Sequence, residues 1–220
     1  MRNFSNTMKK AAVLWTGGKD SALAFQVSLN LYDIRRLVCF VPADNRQFYA
    51  HPTELMKLQA RKIGIPIAFM PISEPYKPNY RQQIETLRDS GIEVLITGDI
   101  SSVDGMPNWI EEVAAGLVEV HKPLWELDRH AILDTLISDK FKVVCSLAYK
   151  KHFQPTIAGR YLDAELISEL QQLPIDACGE QGEYHTWVLD APFFKESLQL
   201  EGARVVEAVE YCYLTYECIT

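Results

Sequence analysis

Apolar residues along the chain gather in short runs, separated by stretches where they recur at helical spacing. The runs are Ala11–Trp15, Leu37–Val41, Ile65–Ile72 and Val94–Thr97, with a weaker one at Leu117–Val120. Between them Asp20–Leu29, Thr53–Ile63, Arg81–Ser90 and Asn108–Ala115 carry the helical period. Pro52 suits a helix start, and Gly64 and Gly91 suit helix ends. This alternation predicts an α/β fold, a Rossmann-like parallel sheet with helices on both faces. Ligands on such sheets lie beyond the carboxyl ends of the strands. The pattern changes after His121-Lys122-Pro123. A helix is expected over Asp128–Ser138, a strand over Phe141–Tyr149, and a helix from Tyr161 to Leu173, stopped by Pro174. Strands are expected at Trp187–Leu189 and along Ala203–Ile219. The reading is a nucleotide-binding domain over residues 1–121 and a smaller C-terminal α/β lobe over 122–220.

Composition narrows the class. Of 220 residues 48% are hydrophobic, which suits a globular protein rather than a disordered one. No eighteen apolar residues run together, so no membrane span is expected. The apolar run after the N-terminal basic residues is too short for a signal peptide. Five cysteines, at 39, 145, 178, 212 and 218, show no paired spacing, and reduced thiols in the cytoplasm are expected. The net charge of −7 argues against a nucleic-acid partner, which needs clustered basic residues.

The first apolar run leads straight into Thr16-Gly17-Gly18-Lys19-Asp20-Ser21 and then into a helical pattern. Adjacent glycines let backbone N–H groups approach a phosphate without Cβ obstruction. The helix start adds unpaired donors and the positive end of its dipole. Spacing excludes two other phosphate loops. Asp20 separates Lys19 from Ser21, so there is no Walker sequence, and no G-x-G-x-x-G is present. What remains resembles the pyrophosphate loop of the N-type ATP pyrophosphatases, which cut ATP between its α- and β-phosphates.

A second concentration of chemistry lies at Asp176–Thr186, DACGEQGEYHT, with three carboxylates, one histidine and two glycines. If this loop ends extended, Glu183 and His185 share a face and can act as acid, base or ligand. A glycine-rich turn whose polar groups satisfy local backbone donors is the competing explanation for any one of these residues. The residue set lacks the spacing of a zinc site.

Together the two clusters resemble the diphthine–ammonia ligase family and its prokaryotic relatives. The matched stretches include Thr16–Ser21, Phe48-Tyr49-Ala50-His51, Leu58-Gln59-Ala60, Thr97-Gly98-Asp99-Ile100, Pro123-Leu124-Trp125 and Cys178-Gly179-Glu180-Gln181-Gly182-Glu183-Tyr184. Two stretches depart from the pattern. His185 stands where the family commonly has Glu, and Ser101–Met106 lacks the family's arginines. The resemblance implies an ATP- and Mg²⁺-dependent amide ligase. It adenylates a carboxylate-bearing acceptor, small molecule or protein side chain, releases pyrophosphate and transfers ammonia.

The same resemblance implies that Thr16, Gly17, Gly18, Lys19, Asp20, Ser21 and Gly98 lie against the nucleotide, with Asp44 near adenosine. Asp20 and Asp99 are candidate metal partners. His51 would touch a phosphate or the reacting carboxylate, or serve simply as a polar residue before Pro52. Asp99, Glu180, Glu183 and His185 would carry the acceptor chemistry, with Tyr184 or Trp187 suited to a quaternary ammonium group. Free ammonia, or ammonia from a partner, is the expected nitrogen source. Sulfur transfer to tRNA and a non-catalytic ATP sensor are the alternatives, and the strand-rich end at 204–219 leaves a homo-oligomer open.

Overall fold

A computed structural model describes residues 8–44, 49–102 and 105–220. Phe48 and the Val103-Asp104 part of the Ser101–Met106 stretch lie outside the described residues. Five strands, β1 (Lys10–Leu14), β2 (Asp33–Pro42), β3 (Ile67–Ile72), β4 (Val94–Ile96) and β5 (Glu119–His121), form one sheet in the order β3-β2-β1-β4-β5. Every pairing in it is parallel. The connecting helices are α1 (Lys19–Ser28), α2 (Thr53–Ile63), α3 (Tyr76–Asp89) and α4 (Trp109–Ala114). β1 and β4 are neighbours in space but not in sequence. Their carboxyl ends therefore mark the switch point where such sheets bind ligands.

α2 ends at Gly64, whose φ of 85° closes the last turn with an N–H to the Ala60 carbonyl. α3 starts at Tyr76, earlier than its apolar spacing suggests, because Pro78 is tolerated in a first helical turn.

The remaining chain gives α5 (Arg129–Ser138), β6 (Lys142–Tyr149), α6 (Ala164–Gln172) and β7 (Tyr184–Asp190). Asp128 and Asp163 cap α5 and α6 by accepting from Ala131 and Leu166 amides. The Asp163 cap also explains why α6 begins after Tyr161. The segment Ala203–Ile219 expected as strand is divided into β9 (Arg204–Glu207), β10 (Tyr211–Thr215) and β11 (Cys218–Ile219), and β8 (Leu200–Glu201) precedes it. β7-β6-β10-β9 form an antiparallel sheet, and β8 pairs with β11.

The two sheets share one core. Val13, Phe25, Leu133, Val143, Leu166 and Val188 belong to a single buried cluster. α1 lies at its centre, with Ala22, Leu23, Ala24 and Phe25 all buried. Hydrophobic burial on both sides of α1 thus brings the C-terminal sheet against the helix that follows the Gly-Gly turn. No helix among the described residues is long and apolar enough to cross a membrane.

Candidate active site

The Gly-Gly turn is shaped from three directions. Trp15, just past β1, donates its amide to Val38 in β2 at 2.7 Å. Gly17 then adopts φ +77°, a left-handed conformation that glycine reaches without strain. From β7, the Val188 amide donates to the Gly17 carbonyl at 2.9 Å, and Thr186 Oγ1 accepts from the Lys19 amide at 3.1 Å. The third support is Gln59 of α2, fully buried, whose carboxamide bonds both the turn and β7. Gly18, the N-cap of α1, has no side chain to cap the helix, and although Thr186 takes the Lys19 amide, the positive end of the helix dipole still favours an anion there. Ser21 Oγ donates to the Gly18 carbonyl at 3.0 Å and lies 3.4 Å from Thr16 Oγ1.

Asp20 stands at the mouth of this turn. Its Oδ2 accepts from Lys19 Nζ at 2.8 Å, while its Oδ1 is buried with no hydrogen-bond partner. Burial pushes the Asp20 carboxyl above its ordinary value, against the pull of Lys19. Lys19 itself points away from the open edge. Its ammonium is buried between Asp20, the Cys178 carbonyl and, at 5.4 Å, the Tyr184 ring. Burial opposes its charge most strongly, but Asp20, Cys178 and Glu180 together hold its pKa above the usual lysine value. Lys19, expected against the nucleotide, braces the turn against the 176–183 loop in this structure.

Gly98, expected against the nucleotide, has a packing role. A Cβ there would lie 2.5 Å from the Asp20 carbonyl carbon and 2.7 Å from the Ser21 amide nitrogen. Only glycine lets the exit of β4 pass the first turn of α1 so closely. Asp99 follows and accepts from Asn108 Nδ2, the side chain that caps α4. Asp99 and Glu180 line a cleft of about 170 Å³ together with Ser101, Asn108 and Trp109. Glu180 Oε1 accepts from the Ile100 and Ser101 amides at 2.9 and 3.3 Å, joining the two loops. Burial raises the Glu180 pKa against those hydrogen bonds, and Asp20 and Asp99 add to the rise.

The second cluster divides by role. Glu183, expected on the acceptor side, has both carboxylate oxygens turned into its own loop. It is buried, with Oε1 accepting from the Asp176 amide at 2.9 Å and Oε2 from the Gln181 amide at 3.1 Å. Its carboxylate thus builds the loop. Tyr184 and Trp187 are equally committed. Both are buried, with hydroxyl and indole donating to the Ala177 and Ala50 carbonyls at 2.8 and 2.7 Å, so neither ring offers a face to a quaternary ammonium.

His185 meets His51 across the seam, with ring centroids 5.1 Å apart and planes at 82°. Burial, helped by the neighbouring His185, lowers His51 to about 3, although a hydrogen bond with the Thr16 backbone works the other way. Burial and then the Lys19 charge lower His185 to about 4. Both imidazoles are neutral at neutral pH.

Asp44 lies one strand over, at the end of β2, in a cavity of about 380 Å³ lined by Phe40, Pro42, Ile72 and Tyr80. Gln59 and Thr186 lie in stretches matched from sequence without a role being given to them, and Arg129 lies in none. Arg129 Nε bonds Asp176 Oδ2 at 2.8 Å and its Nη2 bonds Ser101 Oγ at 2.7 Å, tying the loop after β4 to the second cluster. Its only sequence cue is its place just after the Asp128 cap.

A five-stranded parallel sheet that reverses strand order beside a Gly-Gly-Lys-Asp-Ser turn makes this an α/β protein with that turn at the switch point of its sheet. The diphthamide synthase N-terminal domain matches residues 8–118 and the diphthamide synthase C-terminal domain matches residues 128–217. The chain belongs to the diphthamide synthase family.

Among curated relatives, the diphthine–ammonia ligase of Danio rerio is 25% identical, over 88% of this chain and 87% of that protein. The Schizosaccharomyces pombe enzyme of that name is 32% identical over 41% of this chain and 16% of its own length. The Homo sapiens one is 28% identical over 38% of this chain and 33% of its own.

Two solved structures show partial likeness. A predicted subunit of tRNA methyltransferase from Methanocaldococcus jannaschii aligns at TM-score 0.42 and 18% identity, over 62% of this chain and 77% of that one. A 4-thiouridine synthetase–RNA complex with bound ATP aligns at TM-score 0.41 and 16% identity, over 83% and 55%.

Proposed function

We propose that the chain is an ATP-dependent ligase that activates a carboxylate by adenylation and converts it to an amide with ammonia. The observation that carries this is the buried, unpartnered Asp20 Oδ1 beside the start of α1. A lone anionic oxygen next to a helix end that favours anions suits a hydrated Mg²⁺, which Asp20 would hold. When bound, that ion would neutralise charge on the phosphate oxygens.

In this reading residues 1–121 hold the nucleotide. The start of α1, with Thr16, Gly17, Gly18 and Ser21, receives the phosphates, and the Asp44 cavity takes the adenosine end. Lys19 keeps the Asp20 carboxylate turned and charged. Residues 122–220 supply the acceptor side through Glu180 and His185, with His51 and Asp99 facing them from the first part.

The chemistry follows from leaving-group quality. A carboxylate resists ammonia because it would have to expel an oxide-like group. Attack of its oxygen on the ATP α-phosphorus breaks the bond to pyrophosphate and leaves an acyl-adenylate. Ammonia then attacks the acyl carbon, the C–O bond to AMP breaks, and the surplus proton leaves to solvent. The protein contributes positioning and electrostatics. The neutral His51 and His185 place uncharged hydrogen-bonding groups beside the reacting carboxylate. The family match and the curated relatives' names support this reading.

Buried thiols weigh against sulfur transfer. Burial pushes Cys39, Cys145 and Cys178 up to about 12, far from a reactive thiolate.

ATP–pyrophosphate exchange tests the reading. Labelled pyrophosphate should enter ATP in the presence of Mg²⁺ and the right carboxylic acid without ammonium. Exchange that never depends on a carboxylate would count against it.

A further inference from the structure

Gln59 is among the most completely buried polar side chains, and it lies behind the Gly-Gly turn, bonded to its backbone. A buried carboxamide is tolerable only with partners, and this one has three. Its Oε1 accepts from Trp15 Nε1 at 2.9 Å. Its Nε2 donates to the Gly17 carbonyl at 2.9 Å and to the Val188 carbonyl at 2.8 Å. The Gly17 carbonyl also accepts the Val188 amide, so α2, the Gly-Gly turn and β7 meet at one knot.

We propose that Gln59 is the positioning residue of the phosphate loop: its carboxamide sets the conformation of Gly17 and holds β7 in register with the loop. The proposal rests on the nucleotide reading above. Gly17 presses directly on this group, since a Cβ there would lie 2.5 Å from Gln59 Oε1. The positive φ at Gly17 and the contact with Gln59 are thus two views of one fit. Both Nε2 protons and one Oε1 lone pair are used, a combination that no other side chain of this length supplies. Glutamate has no proton to give the two carbonyls, and leucine removes the acceptor of the Trp15 indole and one donor each from the Gly17 and Val188 carbonyls.

Two consequences reach the site. The clamp fixes the direction of the amides that open α1, just beyond Gly17. It also fixes the height of β7, and with it Thr186 on the Lys19 amide and His185 opposite His51.

The test compares full-length wild type, Gln59→Leu, Gln59→Asn and Trp15→Phe by calorimetric titration with Mg-ATP, with folded fraction checked by circular dichroism. Gln59→Asn keeps the amide but withdraws it by one methylene, so it remains informative if Gln59→Leu does not fold. Both Gln59 variants should weaken ATP binding about tenfold or more in the folded protein. Trp15→Phe, which spares both bonds from Nε2, should stay within about threefold. A purely structural role would reduce the binding stoichiometry while leaving Kd unchanged, and that result would overturn the proposal. Wild type that gives no ATP signal at all would overturn the nucleotide reading and the clamp together. Gln59→Asn binding ATP like a responsive wild type would overturn the clamp alone.

Discussion

Val188 in β7 donates its backbone amide to the Gly17 carbonyl, so a strand of the antiparallel sheet pairs with the phosphate loop of the parallel one. The loop is therefore a joint product of both sheets. Substitutions on either side should be felt at the nucleotide.

Gly98→Ala tests the closest approach. Its Cβ would meet Asp20 and Ser21 backbone atoms, which cannot swing away as a side-chain tip can. Overpacking of this kind costs about 1–3 kcal/mol. We expect a lower melting temperature and a clearly raised Kd for ATP. Unchanged affinity would show that the first turn of α1 does not hold the phosphates.

Glu183→Gln addresses a residue whose sequence setting suggested catalysis. Because both carboxylate oxygens accept loop amides, the amide side chain would set an N–H against an N–H. The loss should be about 1–3 kcal/mol of stability, with faster amide exchange at Asp176 and Gln181. The step most affected should be folding. A variant of normal stability with a collapsed turnover rate would restore a catalytic role for Glu183.

The histidine pair sets an acid limit. In the unfolded chain both imidazoles titrate near 6.5, whereas in the fold they sit at about 3 and about 4. Below about pH 6.5 the unfolded chain binds more protons, so stability falls with acidification until the folded values are reached. Above that pH the pair contributes no slope. Each histidine should cost about 2 kcal/mol at pH 5. Urea unfolding at pH 7, 6 and 5 should show His185→Asn losing less stability than wild type. Parallel losses would mean that His185 is not held neutral by the fold.

How far the site could be read in advance depends on how local each cause is. The strand, turn and helix around Thr16–Ser21 were legible because glycine, a strand and a helix start act within a few residues. The inward turn of Lys19 was not legible, since the Cys178 carbonyl and the Tyr184 ring that capture it come from a distant loop. Glu183 shows the reverse case: a dense acidic motif suggested chemistry, but the turn folded back and used the carboxylate for its own amides. Gln59 and Arg129 carry little signal, because a polar residue in a helix looks solvated until tertiary contacts bury it. Pro78 misled the start of α3, where a helix breaker sits in the one turn that accepts it.

The central claim is that this loop directs cleavage of ATP at the α–β bond onto a carboxylate. The direct measurement incubates the protein with ATP, Mg²⁺, ammonium and a panel of carboxylic acids and identifies the nucleotide product. The account predicts AMP and pyrophosphate in equal amounts with a responsive acid, together with its amide, and loss of both by at least about a hundredfold in Asp20→Ala, in keeping with removal of a key electrostatic group. ADP and phosphate as products, or AMP formation indifferent to Asp20→Ala, would contradict it.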